Sequence, residues 1–417
     1  LYDNALLTVA YLEAVQVTGR EDFRQMARET LDYVLREMTH PDGAFCSTQD
    51  ADSEGVEGKF FVWTKEEIES LLEENAARRF CEAYDVTPGG NWEGHTILNL
   101  PRPIAAVARD LGISTEELQQ SLAASRQILL EARSQRVHPG QDDKIITAWN
   151  GLMLTALARG SRVLRDPAYA AAAERAAGFI LSTMRRSDGR LVHSWRNGQG
   201  STVACLDDLA CMIDGLTELY EATFEPQYLA AALELAGQMQ EHHTDPESGG
   251  FFYTAREVES LIARTRDSQD TATPSGNSMA ALALVRLGRL TGRQDLEDAA
   301  ARVLESVSGQ VAQVPQASGQ ALIALDFQLG PVQELVFAGE SPADVITAVQ
   351  AASAKFRPRA VTAVRPAGLS DEELPPFLQP LLNSRHANGA AASLWLCTNG
   401  TCDLPVHGLE AIGQKLA

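Results

Sequence analysis

The chain has 417 residues, 45% hydrophobic and 22% charged, and its 35 Lys+Arg against 56 Asp+Glu leave a net charge of −21. Such a charge repels phosphate backbones and anionic lipids, so neither nucleic acid nor a membrane surface is expected as a partner. No apolar run approaches the ~18 residues of a membrane span, and Leu1 to Leu7 lack the basic start and apolar stretch of an export signal. The six cysteines (46, 81, 205, 211, 397, 402) are too sparse for a disulfide scaffold and include no C-x-x-C, so a reducing cytoplasmic setting is expected.

Four segments open with a small polar cluster and run into apolar, Ala-rich helix: Asp3-Asn4-Ala5-Leu6, Trp149-Asn150-Gly151-Leu152, Asp207-Asp208-Leu209-Ala210 and Gly276-Asn277-Ser278-Met279. Fourteen residues beyond Asn4, Asn150, Asp208 and Asn277 stand Thr18, Leu164, Ala222 and Thr291, each at or beside a break in the pattern. Two breaks repeat almost literally, as Thr18-Gly19-Arg20-Glu21-Asp22 and Thr291-Gly292-Arg293-Gln294-Asp295. Asp166-Pro167 and Glu225-Pro226 mark the others as a cap followed by a first-turn proline. A second helix follows each break; in the first, Phe23, Met26, Ala27, Thr30, Leu31, Val34, Leu35 and Met38 fall at alternating steps of three and one, an apolar stripe at helical period. Gly turns with aromatic or aliphatic runs then appear: Asp42-Gly43-Ala44-Phe45, Asp188-Gly189-Arg190-Leu191 and Gly249-Gly250-Phe251-Phe252.

Anchors spaced 58 and 69 residues, with 146 between Asn4 and Asn150 and an echo at Ser318-Gly319-Gln320-Ala321, leave room for six hairpins. The first helices carry almost no charge and so belong inside a ring of second helices. The expected fold is mainly α, an (α/α)6 toroid of helical hairpins over 1–330 with an insertion at about 64–136, followed by a small α/β appendage over 331–417.

Turns from first to second helix are short, whereas the returns are long and hold most of the Gly, Asp, Trp and His residues. Function is therefore expected on the long-loop face, at the positive ends of the inner helices. Asp3-Asn4, Asp50 and Asp52, Asp142-Asp143-Lys144, Asp207-Asp208, and Asp270 with Asn277 converge there, with Trp63, Trp92, Trp149, Trp195 and Tyr253 nearby in sequence. Carboxylates beside aromatic platforms suit sugars, whose hydroxyls need acceptors and whose C–H faces stack on rings. Asp50-Ala51-Asp52-Ser53-Glu54-Gly55 begins like a calcium loop, but its twelfth position is Phe61, and no D-D-x-x-D is present, so neither a metal nor another cofactor is expected. His242-His243 reads as charge compensation at a helix end, and Cys397 with Cys402 as structural.

At these residues a family becomes recognisable. Leu1-Tyr2-Asp3-Asn4-Ala5, Gln49-Asp50-Ala51-Asp52-Ser53-Glu54-Gly55 with Gly58-Lys59-Phe60-Phe61-Val62-Trp63, Gly90-Asn91-Trp92-Glu93-Gly94, Asp142-Asp143-Lys144 with Trp149-Asn150-Gly151, and Pro274-Ser275-Gly276-Asn277-Ser278 resemble the spermatogenesis-associated protein 20-like, thioredoxin-domain-containing family. The resemblance spans nearly the whole chain. It implies a helical part similar to six-hairpin glycosidases and N-acylglucosamine 2-epimerases, and an N-terminal thioredoxin-like domain that lies outside this chain and would be its partner in the full-length protein. Around the fourth anchor the family's Glu-Asp-Tyr-Ala is here Asp207-Asp208-Leu209-Ala210, and its Tyr-Asp-Gly is here Gln269-Asp270-Thr271.

The expectation is a carbohydrate-active enzyme acting on a small-molecule or oligosaccharide substrate. Hydrolysis of a glycosidic bond would set Asp143 or Asp208 against Asp50 or Asp52 as acid and base. Sugar isomerisation would use His193 or His95 to take a proton beside a carbonyl. Asn4, Trp63, Lys144, Trp149, Asn150, Trp195 and Asn277 would hold the substrate, and Asp50, Asp52, Asp143 and Asp208 would share one cavity. The rival reading is a non-catalytic module that binds a glycan or protein segment for the thioredoxin-like domain.

Overall fold

In the computed structural model residues 1–258, 263–387 and 389–417 are described, and they form two compact units, 1–47 with 143–417 and 48–142. The first opens with α1 (Tyr2–Thr18) and α2 (Glu21–Glu37); of the stripe expected on α2, Ala27, Leu31 and Val34 are buried while Met26 stands exposed, so the inward face is narrower than the spacing implied.

The unit 48–142 holds β1 (Thr48–Gln49), β2 (Asp52–Ser53), β3 (Val56–Glu57), α3 (Lys65–Leu71), α4 (Glu74–Ala83), α5 (Ile104–Leu111), α6 (Thr115–Arg133) and β4 (Gln141–Asp142). Its two ends pair, with Thr48 opposite Asp142 and Gln49 opposite Gln141. α3 starts on a capping box: Thr64 Oγ1 accepts from the Glu67 N–H and the Glu67 carboxylate accepts from the Thr64 N–H. A separate core of Trp63, Ile68, Phe80, Val107, Leu118 and Leu122 holds these helices together.

The larger unit continues with β5 (Ile145–Ile146), α7 (Thr147–Leu164), α8 (Pro167–Thr183), β6 (Ser194–Arg196), β7 (Gln199–Gly200), α9 (Leu206–Thr223), α10 (Pro226–His243), α11 (Gly276–Thr291), α12 (Gln294–Gln313) and α13 (Gly319–Leu329). Helices α1, α7, α9, α11 and α13 neighbour one another in that order, and the first four pack against their own outer partners α2, α8, α10 and α12. This is the α/α toroid architecture. The inner α7, α9 and α11 are buried along nearly their whole length; the expectation that they carry almost no charge is corrected here, since α9 buries Asp208, Asp214, Glu218 and Glu221, three of which are neutralised by arginines of α7 and α11. Asn4, Asn150, Asp208 and Asn277 all lie in the first turn of an inner helix. Because each hairpin reverses direction, these four turns share one face.

Two close approaches explain particular residues. A Cβ on Gly151 would stand 2.5 Å from the Cys211 carbonyl carbon, and one on Gly215 would stand 2.5 Å from the Gly151 oxygen, so α7 and α9 touch backbone to backbone. Gly215→Ala is therefore expected to force the helices apart at ~1–3 kcal/mol. Urea denaturation should show the loss in its midpoint; an unchanged midpoint would mean that the contact can relax freely.

The repeat seen in the sequence is also a repeat of hydrogen bonds. Asn150 Oδ1 accepts from the Phe45 N–H at 2.9 Å and its Nδ2 donates to the Phe45 carbonyl at 3.0 Å; Asn277 makes the same two bonds to Phe251 at 2.9 and 3.0 Å. Each inner-helix Asn thus clamps the Gly-turn loop of the preceding hairpin. Since all these groups are buried, Asn277→Ala would strand two backbone groups and is expected to lower stability by ~2 kcal/mol or more, read again from urea denaturation.

The appendage comprises β8 (Gln333–Gly339), α14 (Pro342–Ser353), β9 (Ala360–Val364), α15 (Gln379–Leu382), β10 (Ala392–Thr398), β11 (Thr401–Cys402), β12 (Val406–His407) and α16 (Leu409–Leu416). β8 is central, parallel to β9 through the α14 crossover and antiparallel to β10. Leu335, Phe337, Val345, Val349, Leu394 and Ile412 form its core. The β10–β11 register sets Cys397 opposite Cys402, and the two form a disulfide. That bond was not expected from the cysteine count, and it removes the cysteine argument for a reducing compartment. Among the described residues no helix is long and apolar enough to cross a membrane.

Candidate active site

Short strands organise the long-loop face. Ile145 pairs with Trp195 and Ile146 with Ser194, while the Thr147 N–H donates to the His193 carbonyl at 3.0 Å and Thr147 Oγ1 to the Val192 carbonyl at 2.6 Å. His193 is thereby fixed against the first turn of α7. The first turn of α9 brings the other partner. Asp208 is wholly buried; its Oδ1 accepts from the Ala148 N–H at 2.9 Å, and its Oδ2 lies 2.8 Å from both the Cys205 N–H and His193 Nδ1. The clamp position that is Asn in α7 and α11 is Asp here, and it holds a histidine ring.

Hydrogen bonding to Asp208, working against burial and joined by the charge of Asp207, raises the His193 pKa above its ordinary value. The ring keeps about a third of its side-chain surface (35%) in solvent. With Nδ1 facing Asp208, Nε2 is the nitrogen open to a ligand. Next to it, Asp207 is half-buried. Burial and the Asp208 charge push its carboxyl up to about 7, with His193 pulling the other way. Asp207 Oδ1 is buried and has no hydrogen-bond partner among the described residues. Tyr253 and Cys205 complete the surround: burial pushes the thiol up to about 12 and the phenol upward too, and they hydrogen-bond each other.

His193, Cys205 and Asp208 also place potential ligand atoms within 4.8 Å of one another. Asp208 already accepts from two backbone N–H groups besides the ring, so its oxygens are engaged within the protein. The donor set suits a histidine–carboxylate pair better than a cation.

The other expected site residues are distributed as follows. Asp143 is ion-paired with Arg196 Nε at 2.5 Å, and Lys144 is exposed. Trp149 meets Tyr2 edge-on at 4.8 Å, and Trp195 sits edge-on between His40 and Phe179 at 5.5 and 5.2 Å. Asn4 reaches the Met38 sulfur at 3.8 Å, whereas the amides of Asn150 and Asn277 are wholly engaged in their loop clamps. Asp50, Asp52, Trp63 and His95 belong to the unit 48–142. There Asp50 Oδ1 accepts from the Asp52 N–H, both aspartates being exposed, and His95 lies exposed on its turn. Trp63 is a core residue, 3% exposed, with the Arg136 guanidinium 4.0 Å above its ring, so no sugar face can stack there. His243 does not act as a helix-end cation: burial pushes it down to about 4, and it is neutral at pH 7. Asp207 was visible in the sequence only as the neighbour of Asp208; its placement beside His193 depends on the fold.

No known protein-family profile matches the chain. Spermatogenesis-associated protein 20 of Homo sapiens is 30% identical over 445 aligned residues, covering 97% of this chain and 56% of that protein, and the Mus musculus protein matches equally well. The chain is a relative of spermatogenesis-associated protein 20. It spans a little over half the length of these relatives. Among solved structures, D-mannose isomerase has a TM-score of 0.40 at 12% identity, covering 74% of each chain. Unsaturated glucuronyl hydrolase from Bacillus sp. GL1 has 0.35 at 16%, covering 73% of this chain and 72% of that one.

Proposed function

We propose that this face of the toroid is an acid/base site acting on a sugar, moving a proton beside a carbonyl to isomerise or epimerise it. The observation that carries the reading is the pairing of His193, oriented by the buried Asp208, with an Asp207 carboxyl pushed up to about 7. With the Asp207 carboxyl at about 7 it can give or take a proton near neutrality, and a neutral His193 whose Nδ1 faces Asp208 leaves Nε2 as the base, so the pair supplies an acid and a base. In the forward step His193 Nε2 takes the proton from the carbon next to the carbonyl, and Asp207 gives its proton to the carbonyl oxygen. The enediol so formed collapses to the isomer when His193 returns its proton to the former carbonyl carbon and the Asp207 carboxylate takes the proton of the neighbouring enediol hydroxyl, which restores both groups to their starting states. Asp208 is a positioning residue here: it fixes the ring and its tautomer. Trp195 and Trp149, partly buried at the same end of the inner helices, offer apolar surface to a sugar. Glycoside hydrolysis through Asp143 and Asp208 finds less support, since one is ion-paired and the other has no exposed surface.

Incubation of free aldoses and ketoses with the protein in D2O, followed by NMR, tests this reading. Solvent deuterium should enter at the carbon beside the carbonyl, and His193→Gln and Asp207→Asn should each reduce the exchange at least ~100-fold. Release of new reducing ends from linked sugars without exchange would overturn it in favour of hydrolysis.

A further inference from the structure

At the other ends of the inner helices lies a cavity of about 130 Å³, closed on one side by the α/β appendage. Along α7 it is about 18 Å from the His193 end, counting twelve residues at 1.5 Å each from Thr147 to Arg159. Its volume has room for several waters or for one small molecule of a few heavy atoms. In a chain of net charge −21, its wall is locally positive. Arg159, Arg162, Arg286, Lys355 and Arg357 line it against the carboxylates of Glu13, Glu218 and Glu221.

Several of these charges satisfy one another. Arg159 bridges Glu13 and Glu218, and Arg286 bridges Glu218 and Glu221. Others retain unused donors. Arg162 is itself ion-paired with Glu218 and Glu221 and keeps only a buried Nε without a partner, whereas Arg357, whose Nε is likewise buried without a hydrogen-bond partner, is paired with no carboxylate among the described residues. Arg357 donates only to neutral acceptors, Gln333 Oε1 and the Leu416 carbonyl. Burial alone lowers its pKa, with no carboxylate opposing it. The carboxylates of Glu13, Glu218 and Glu221 account for the arginines of α7. They do not account for Lys355 and Arg357, which arrive on the loop between α14 and β9.

We propose that this cavity binds a small oxyanion, a phosphate or carboxylate group, that accepts from Lys355 and Arg357 and holds the loop 355–358 against the inner helices. Guanidinium donors with spare N–H groups are the side chains best suited to such oxygens. The site is independent of the chemistry at His193.

Thermal melts of the full chain in 10 mM inorganic phosphate, 10 mM propionate or sodium chloride of matched ionic strength test this. One oxyanion should raise the melting temperature by ~2 °C or more above chloride; a response to phosphate alone identifies a phosphoryl group, and one to propionate alone a carboxylate. Arg357→Gln should lose at least half of that rise. Lys355→Gln, at an exposed position that does not endanger folding, should weaken it as well. If neither anion exceeds chloride, or if both variants respond as the parent protein does, the proposal fails.

Discussion

Asp207→Asn is expected to stabilise the protein above pH 7 while removing turnover. In the unfolded chain this carboxyl titrates near 3.8, whereas in the fold it is raised to about 7, first by burial and then by Asp208. Between these values the folded state holds a proton that the unfolded state has released, so stability is greatest below pH 3.8 and falls as pH rises through 7. A shift of this size corresponds to at most about 4 kcal/mol, and residual access of water to the half-buried carboxylate brings the expectation to about 2–4 kcal/mol. Asn has no such loss. Urea denaturation at pH 5 and pH 8 should therefore show a gain that is small at the lower pH and large at the higher. His193→Gln should behave in the opposite sense: the raised pKa of His193 contributes stability below its unfolded value that disappears as pH rises through the folded one, so this variant loses most in acid. If Asp207→Asn is less stable than the parent at pH 8, the carboxylate is a helix cap and the acid/base assignment falls.

The second large effect is expected at the opposite ends of the inner helices. Arg286, whose side chain is 6% exposed, lies 3.0 Å from Asp214, 2.7 Å from Glu218 and 3.2 Å from Glu221, all nearly buried. For Glu218, burial raises the pKa, but attraction to Arg159, Arg286 and Arg162 outweighs it and holds the carboxyl below its ordinary range. Glu221 is the weaker member, pushed upward because burial exceeds the pull of Arg286 and Arg162. Its Oε1 also accepts from the Thr362 N–H of β9, which connects the network to the appendage. Arg286→Met removes the bridging cation and leaves three buried carboxylates with reduced compensation, a change expected to lower stability by ~3–5 kcal/mol. Denaturation midpoints give the test. A loss under 1 kcal/mol would mean that water reaches the carboxylates and that the network is a solvated one.

The hairpins were legible because their signals are local. A polar residue at a helix start, a 14-residue apolar stretch and a Gly or Asp-Pro break are read within one segment, and helical period determines which residues face inward. The clamps Asn150 and Asn277 were found for the same reason, as polar residues at the head of apolar helices, although the sequence could not tell a loop clamp from a substrate ligand. Asp207 and Asp208 show where local reading ends. They are chemically identical neighbours, and what separates them is the Ala148 N–H, 60 residues away, and the His193 ring delivered by β5–β6 pairing. Arg159, Arg162, Glu218 and Glu221 likewise carry the spacing of a solvated helix stripe, and only the packing of α7 against α9 and α11 takes them out of water. Cys397 and Cys402 became partners through strand register. The sequence by itself determined the elements and their inward faces, because these depend on periodicity along the chain. The tertiary structure alone decided which charges are buried and which proton is shared, because desolvation and Coulomb interaction depend on neighbours that only folding brings close.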